Sequence, residues 1–533
     1  MSVPLVPSSI QIMSVSCLAS VPGSIYPDSL VMHVLNGSAD PIRVRAVAVY
    51  PTALASSRLK AKLESFGGQK EIAAGERGGV VAVTGKLPIR RGVVELVVDS
   101  GNGKTQAVFA PLMYKVDQFD IGSGWLDVPS KPGIVPLTRE NFLKLLTRMH
   151  VNLIHNENVP GYTDTDLCKA YPMRLMSGFT DLEKYNSDEW VARIHGVDIL
   201  GEPQMGVPPM KSYEKLREYA AARYPTTVTL SDEKEWRYYA GLSDYPHFDA
   251  YRVSAPAMDS WHRYDRWDGK KISWGAPLEG IGVMTRSLLA QSRPAPIAAW
   301  AQNVHEGWRD QFMRKRKSPT PDEILTQACE SLANGVKSLY WYSLQSWSLL
   351  KYRDCIEITT RIGREIRALD DLYTAGDATW HQRIDKDGKP NLDLNVVAAP
   401  KAALLFAMDL DYYPDLDAKV FKFRGPRTVE AEFPLPAWLR KPADLFRIDA
   451  DGVHDVQWSV TDGGVKVSDQ VDRVAVYVAA PDGNVRAERA KRIEKLKAAE
   501  TALGFDPAAN DADFMLLCRD LGFDDPKELD KLK

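Results

Sequence analysis

The chain has 533 residues, of which 44% are apolar and 26% charged, a composition that excludes a wholly disordered or collagen-like protein. At roughly 100–200 residues per domain, this length predicts about three domains. The 67 Lys and Arg residues are balanced by 70 Asp and Glu residues, for a net charge of −3. Because no overall positive field exists to hold a phosphate backbone, nucleic acid is not a predicted partner.

Apolar runs and cysteines narrow the class of protein further. No stretch reaches the roughly 18 consecutive apolar residues of a membrane span, so none is predicted. The first residues, MSVPLVPSSIQIMSV, lack the basic start and apolar run of a secretory signal. Localisation is therefore open between the cytoplasm and, if such a signal was removed, an exported compartment. Five scattered cysteines without a CxxC pair predict buried free thiols and no zinc or redox dithiol site.

Residues 1–115 are predicted to form a β-sandwich domain. Short β-branched runs alternate apolar and charged side chains, as in residues 42–46 (IRVRA), and turn pairs such as Asn36-Gly37 separate them. This alternation is typical of an antiparallel sheet with one face on a core and the other in water.

Residues 116–378 change to a pattern of helices alternating with brief apolar strands, which predicts βα units and a parallel sheet. A helix with Thr320 as N-cap, Pro321 at its first position and Glu323 in a capping box is clearly indicated. The length favours an eight-stranded (β/α) barrel of the TIM type. Only seven strands are apparent, so an open doubly wound sheet is the alternative. The predicted strands cover residues 151–155, 173–177, 197–200, 226–230, 248–254, 297–302 and 339–344.

Residues 379–482 return to the strand pattern and predict a second β-sandwich-like domain. Residues 483–533 predict a short, charged helical tail. Within the tail the sequence LGFD occurs at residues 503–506 and again at 521–524. The two copies mark either equivalent helix ends or a chance similarity.

The C-terminal ends of barrel strands are where reacting groups are expected, because the βα loops converge there. Glu202 follows one predicted strand in VDILGEPQ, held between a glycine and a proline. Glu306 follows another in IAAWAQNVHEGW, where His305 could orient it. Further polar residues at these two strand ends and after the first predicted strand are candidate substrate contacts: Asn156, Glu157, Gln204, Gln302 and Asn303.

Tryptophans concentrate in the same central segment, beside charged residues in its loops. Flat apolar faces next to hydrogen-bonding groups suit a sugar ring, so a carbohydrate is the predicted partner. The predicted sugar contacts are Trp261, Trp267, Trp274, Trp308 and Trp347. No HxH or HExxH pattern occurs, and neither a metal nor another cofactor is predicted.

The stretches VDILGEPQ, IAAWAQNVHEGW and LANGVKSLYWYSLQSW resemble the large clan of barrel glycoside hydrolases that use two carboxylates, and most closely the family-42 type of β-galactosidase. The resemblance implies that Glu202 is the acid/base, although Gly201 stands where Asn is usual. The nucleophile position holds Gln302, and the nearest carboxylate is Glu306. An inverting mechanism, or Glu157 or Asp232 as the partner acid, stays open.

Two other functions compete with that of a glycoside hydrolase. One is a carbohydrate-binding barrel without catalysis, which Gln302 at the nucleophile position would fit. The other is a structural assembly subunit, in which the β-domains and the charged tail mediate association. A homo-oligomer is compatible with each of the three.

Overall fold

A computed structural model describes residues 8–51, 58–101, 103–127, 131, 133–155, 162–163, 165–249, 251–253, 266, 272, 274–305 and 314–531. The chain forms a closed parallel barrel, antiparallel sheets before and after it, and a helical C-terminal segment. The predicted fold class is confirmed, and the open doubly wound sheet was the wrong alternative. All five cysteines are free and buried, as predicted. In the described part of the chain, no helix is long and apolar enough to cross a membrane.

The N-terminal domain consists of two four-stranded antiparallel sheets in the orders β1-β2-β6-β5 and β4-β3-β7-β8. Their facing sides enclose an apolar core that includes Val34, Val47 and Leu96. Strand β3 places Val47 in this core, whereas Arg43 is exposed. The strands are β1 (Ile10–Leu18), β2 (Ser29–Asn36), β3 (Ile42–Tyr50), β4 (Leu59–Lys60), β5 (Lys62–Ser65), β6 (Arg77–Val83), β7 (Arg90–Ser100) and β8 (Thr105–Tyr114).

Eight parallel strands close the barrel, each paired with its neighbours in chain order and the last paired with the first. They are β9 (Asp120–Gly124), β10 (Leu153–His155), β11 (Arg174–Ser177), β12 (Ile194–Asp198), β13 (Thr226–Leu230), β14 (Tyr245–Asp249), β15 (Ala298–Gln302) and β16 (Ser338–Tyr342).

Strand β9 is the one that the sequence did not reveal. Its sequence, DIGSG, is fully buried but contains a single β-branched residue, so it has no apolar run to recognise. Gly122 is needed for packing, because a Cβ atom there would lie 2.4 Å from the Tyr340 ring and 2.6 Å from Leu153. Packing inside the barrel therefore requires small residues in β9, and such residues have a low strand propensity and predict a loop.

Two barrel strands begin and end earlier than predicted. The predicted strand 197–200 is β12, which ends at Asp198, and the predicted strand 248–254 is β14, which ends at Asp249. Strand β12 begins with the sequence IHG and β14 with YPH. Because these first residues form no apolar run, the predicted strands started too late in the sequence. The shift places a carboxylate at the last position of each strand.

Helices cover the outside of the barrel. Helix α8 has the predicted capping box, with Thr320 and Glu323 bonded reciprocally. The helices before the second β-domain are α1 (Glu140–Arg148), α2 (Leu167–Ala170), α3 (Leu182–Tyr185), α4 (Asp188–Arg193), α5 (Pro209–Arg217), α6 (Trp236–Tyr239), α7 (Gly280–Ser292), α8 (Pro321–Leu332), α9 (Ser346–Lys351) and α10 (Asp354–Ala375).

The second β-domain contains a six-stranded, a three-stranded and a two-stranded antiparallel sheet. Its core meets the N-terminal domain where the rings of Trp438 and Phe66 pack edge to face at 5.3 Å. The strands are β17 (Asp377–Lys386), β18 (Lys389–Ala398), β19 (Ala403–Asp409), β20 (Tyr412–Asp415), β21 (Val420–Phe423), β22 (Arg427–Pro434), β23 (Asp444–Asp449), β24 (Gly452–His454), β25 (Gln457–Val460), β26 (Gly464–Val471) and β27 (Val474–Ala480).

The C-terminal tail forms helices α11 (Asn484–Ala502) and α12 (Asp511–Asp520). Each copy of LGFD follows directly after one of these helices. Gly504 and Gly522 adopt positive φ angles of 59° and 84°, the left-handed conformation that ends many helices. Phe505 and Phe523 are both buried in the main core. The two copies therefore occupy equivalent helix ends.

Charged residues of the tail pair with this chain's own barrel. The Glu500 carboxylate accepts a hydrogen bond from Arg364 Nε at 2.6 Å and lies 2.7 Å from His150 Nε2. Although burial opposes it, hydrogen bonds from Arg364 and His150 lower the pKa of Glu500 to about 2. This contact attaches α11 to the α1 and α10 side of the barrel.

Replacing Glu500 by Gln is expected to lower the free energy of unfolding by about 3–5 kcal/mol, because the Arg364 charge stays buried without its partner. Because the pKa of Glu500 is lowered in the folded state, its contribution is complete above pH about 4.5 and is lost as pH falls toward 2. Urea unfolding followed by tryptophan fluorescence measures the change. Glu494→Gln, on the exposed face of α11, is the matched control and should be close to neutral.

Candidate active site

Glu202 lies at the C-terminal rim of the barrel, four residues after the end of β12. The turn that carries it is fixed from both sides. Asp198 Oδ1 accepts a hydrogen bond from Gly201 N at 2.9 Å, and Thr229 N of β13 donates to Gly201 O at 2.8 Å. Gly201 has a φ of 53°, a left-handed conformation that favours glycine. The Glu202 side chain is exposed at the rim.

The residues that hold this turn form further hydrogen bonds of their own. Asp198 Oδ2 lies 2.8 Å from His155 Nε2, at the end of β10. The Gln204 amide lies 2.6 Å from the Ser231 hydroxyl, just beyond β13. Gln204, a predicted substrate contact, is thus used to hold the turn. The turn that carries Glu202 is consequently held by residues of β10, β12 and β13.

Asp249, the last residue of β14, is a carboxylate that the sequence analysis missed. Burial, followed by the negative charge of Glu202, raises the pKa of Asp249 well above its usual value. The Tyr251 hydroxyl forms a hydrogen bond with the Asp249 carboxyl. Within the described residues its buried Oδ1 has no hydrogen-bond partner. The structure thus places a second acid where the negative charge of Glu202 affects its pKa.

Aromatic rings form the floor between these strand ends. Trp125 lies 4.9 Å from Tyr342 and 5.5 Å from Trp300, measured between ring centroids. Tyr251 stacks on Tyr342 at 4.7 Å with an interplanar angle of 23°. Trp125, Tyr251 and Tyr342 are half-buried, so parts of their faces reach the mouth. Such a floor can hold the C–H face of a sugar ring.

The described residues of β15 and its following loop do not supply a carboxylate. Gln302 is buried and its Oε1 accepts a hydrogen bond from Val253 N at 2.7 Å. Asn303 donates to Thr359 Oγ1 of α10 at 3.0 Å, so its amide is directed to an outer helix. The His305 ring packs edge to face on Tyr342 at 4.6 Å. Of these three predicted residues, only His305 lies against the aromatic floor.

The predicted tryptophan contacts that the structure describes are packing residues. Trp274 is 4% exposed and packs on Phe421 of the second β-domain at 5.1 Å. Trp347 is buried in the main core. Because apolar contacts cover both rings, their placement corrects the prediction that they contact sugar. The predicted residues Asn156, Glu157, Trp261, Trp267, Glu306 and Trp308 lie outside the described residues.

Asp232, considered as a partner acid, lies in the turn after β13. Its Oδ1 accepts a hydrogen bond from Lys234 N at 3.1 Å, which stabilises that turn. Within the described residues, no group of three or more His, Cys, Asp and Glu side chains is placed to hold a metal ion. Glu202 and Asp249 are therefore the candidate acid pair of the described rim, because the charge of Glu202 contributes to the raised pKa of Asp249.

No family model matches this chain, and no curated protein matches it either. Among solved structures, the chain is similar to a family 39 glycoside hydrolase from the gut symbiont Bacteroides cellulosilyticus WH2. The two chains are 10% identical, the alignment covers 88% of this chain and 100% of that chain, and the TM-score is 0.34. A structure named only as a glycoside hydrolase has 10% identity, coverage of 72% and 95%, and a TM-score of 0.42.

A β-glucuronidase from Ruminococcus gnavus in complex with D-glucuronic acid is also similar, with 11% identity, 63% of this chain and 61% of that chain covered, and a TM-score of 0.29. These similarities are too distant to assign a function. The functional argument therefore depends on the residues of this chain, and the resemblance to the family-42 type stays a prediction.

Proposed function

We propose that the protein is a glycoside hydrolase that cleaves a glycosidic bond at the C-terminal mouth of its barrel. The observation that carries the proposal is a pair of unlike carboxyl groups beside an aromatic floor, exposed Glu202 and half-buried Asp249, with the charge of Glu202 contributing to the raised pKa of Asp249. Glycoside hydrolysis needs two such groups, one protonated and one ionised. Both lie at the C-terminal rim of the barrel, after β12 and at the end of β14, on either side of β13.

Asp249 is assigned the role of proton donor. Its burial and the adjacent Glu202 charge favour the protonated form, which the general acid must hold before the reaction. Tyr251 fixes the carboxyl group. In the reaction, the Asp249 proton moves to the glycosidic oxygen as the bond from that oxygen to the anomeric carbon breaks. The sequence resemblance gave the acid/base role to Glu202, so this proposal exchanges the two roles.

Glu202 is assigned the role of ionised partner. Its carboxylate either bonds to the anomeric carbon or removes a proton from the water that attacks this carbon. A carboxyl separation of about 5–5.5 Å supports the first route and about 6.5–9.5 Å the second. Proton NMR of the first-formed product separates the routes, because the first retains the anomeric configuration and the second inverts it.

A panel of aryl glycosides tests the proposal with the full chain. The proposal expects release of the phenol from at least one sugar, faster than from a sample inactivated by heat. Equilibrium dialysis with the same sugars runs in parallel. Binding without turnover on every glycoside would contradict the proposal and support the carbohydrate-binding alternative.

The pH dependence of turnover gives a second check. The proposed proton donor must be protonated before the reaction, so activity should fall as pH rises through the pKa of Asp249. Because the pKa of Asp249 is raised well above its usual value, we expect activity to persist to far higher pH than an ordinary carboxylic acid would allow. A loss of activity above pH about 4, where unperturbed Asp ionises, would contradict the role of Asp249.

A further inference from the structure

A hairpin of the second β-domain reaches the barrel on the side of its mouth. It consists of β20 (Tyr412–Asp415) and β21 (Val420–Phe423), which pair antiparallel. Phe421 N donates a hydrogen bond to Glu323 Oε1 at 2.8 Å, in the first turn of α8. Helices of a parallel barrel begin on the side where the preceding strands end. The hairpin therefore lies on the same side of the barrel as the proposed acid Asp249.

The hairpin packs on residues 274–279, the segment just before α7. Trp274 and Leu278 of this segment share an apolar cluster with Val253, near the end of β14, and with Leu410, Tyr412 and Phe421 of the second β-domain. We call these six residues the hairpin cluster. Gly275 passes so close to β21 that a Cβ atom there would lie 2.8 Å from the Phe421 ring. The segment is therefore packed tightly against the hairpin.

Tyr412 also bonds to this segment through its hydroxyl group. Leu278 N donates to Tyr412 Oη at 2.8 Å, and the hydroxyl group donates to Glu279 Oε2. Arg266 pairs with Glu279 Oε1 at 2.9 Å, and its guanidinium lies 3.8 Å from the centre of the Tyr412 ring. All three of these side chains are buried. Because buried polar groups are costly to leave without partners, Tyr412 fixes the backbone just before α7.

The segment that the hairpin holds is bonded in turn to the chain that follows Asp249. Ala276 N donates to Arg252 O at 2.7 Å, and Val253 belongs to the hairpin cluster. Tyr251, the residue before Arg252, forms a hydrogen bond with the Asp249 carboxyl group. A series of direct contacts therefore connects the hairpin to the proposed proton donor.

We propose that the β20–β21 hairpin is a positioning element of the active site, and that Tyr412 is the residue through which it fixes the Asp249 carboxyl group. The inference rests on the proposed glycosidase function. Tyr412 is not a catalytic residue, because its hydroxyl group bonds to Leu278 and Glu279 and not to a reacting atom. A displacement of about 1 Å at a reacting group can lower a rate about 100-fold, so loosening this support should change the kinetics.

Tyr412→Phe tests this role, with Tyr413→Phe as the matched control. The two variants each remove one hydroxyl group from adjacent residues of β20, and Tyr413 is 41% exposed. We expect Tyr412→Phe to lower kcat for aryl glycosides by about 10- to 100-fold. KM should change much less, because the aromatic floor is untouched, and Tyr413→Phe should keep the wild-type kcat. Circular dichroism at the assay temperature checks that both variants are folded.

The pH profile separates positioning from a purely structural role. Burial, followed by the charge of Glu202, raises the pKa of Asp249, and the Tyr251 hydroxyl group bonds to its carboxyl group. Loosening the chain after Asp249 admits water and lowers this pKa toward its usual value. The alkaline limit of kcat/KM should therefore move to lower pH by about 0.5 unit or more in Tyr412→Phe. It should stay in place in Tyr413→Phe, and a loss of stability alone would not move it.

Hydrogen exchange followed by mass spectrometry measures the held segment without turnover. The amide of Ala276, bonded to Arg252 O, should exchange about 10-fold or more faster in Tyr412→Phe than in the wild type or in Tyr413→Phe. Phe421→Leu removes the ring that packs on Gly275 and should act in the same direction. It keeps the test decisive if Tyr412→Phe does not fold.

The outcomes distinguish this inference from the proposed function. A wild type that cleaves aryl glycosides, together with a folded Tyr412→Phe or Phe421→Leu that keeps the wild-type kcat and alkaline limit, would overturn the hairpin's role alone. Unchanged exchange at Ala276 would do the same. A wild type that cleaves none of the glycosides would contradict the proposed function, and the hairpin's role in it.

Discussion

Glu202→Gln is expected to lower kcat/KM for aryl glycosides by about 10²–10⁴-fold or more, the typical effect of removing a group that takes part in proton transfer or bond formation. The amide keeps the size of the side chain but cannot carry its negative charge. Both proposed routes need that negative charge near the anomeric carbon, whatever the leaving group is. The variant should therefore lower kcat/KM to a similar extent for substrates with good and with poor leaving groups.

The control is Glu214→Gln, which changes an exposed glutamate on the outer helix α5. Initial rates of phenol release compare the two variants with the wild type, and retention of the wild-type far-ultraviolet spectrum excludes misfolding. Wild-type activity in Glu202→Gln would remove Glu202 from the mechanism.

Asp249→Asn should have an effect that depends on the leaving group. Without its proton donor, the enzyme should lose about 10²–10⁴-fold in kcat/KM on substrates whose leaving group needs protonation. A dinitrophenyl glycoside departs as a stable anion, so its cleavage should be changed far less. A plot of log kcat/KM against leaving-group pKa measures the difference as a steeper slope for the variant.

Asp232→Asn is the comparison variant in the same leaving-group experiment. Asp232 is also a carboxylate at the rim, but its oxygen stabilises a turn. A leaving-group dependence that appears in Asp232→Asn and not in Asp249→Asn would move the donor role to Asp232.

The stability of Asp249→Asn separates a chemical from a structural role. Because the pKa of Asp249 is raised in the folded state, the folded protein binds more protons than the unfolded chain above pH about 4, and this group destabilises the fold increasingly as pH rises. Asn removes that penalty. We therefore expect Asp249→Asn to unfold at a higher temperature than the wild type at neutral pH. A lower unfolding temperature would show that the carboxyl group has a structural role instead.

The fold was largely predictable from the sequence because its periodicity is strong. Alternating β-branched strands and the capping box at Thr320 both match the structure. Strand β9 was not predictable, because the barrel interior demands Gly122 to admit Tyr340. A glycine that is required by close packing inside the barrel contributes nothing to an apolar pattern along the chain.

The proposed site could be predicted only in part. Glu202 was predicted because a glycine and a proline flank it at a strand end. Asp249 was missed because the predicted strand ran on to residue 254, which placed Asp249 inside it. Strand β12 ends at its first carboxylate, Asp198. The same rule applied to the predicted strand 248–254 would have placed Asp249 at a strand end. The bonding of Gln302 to Val253 N depends on contacts between strands, which the sequence alone does not contain.

A crystal of the Glu202→Gln variant soaked with a cleavable oligosaccharide tests the central claim most directly. The account predicts a sugar ring over Trp125, with its glycosidic oxygen within hydrogen-bonding distance of Asp249 and its anomeric carbon facing residue 202. A sugar bound in the mouth with Asp249 out of reach of that oxygen, or bound only elsewhere on the molecule, would contradict it.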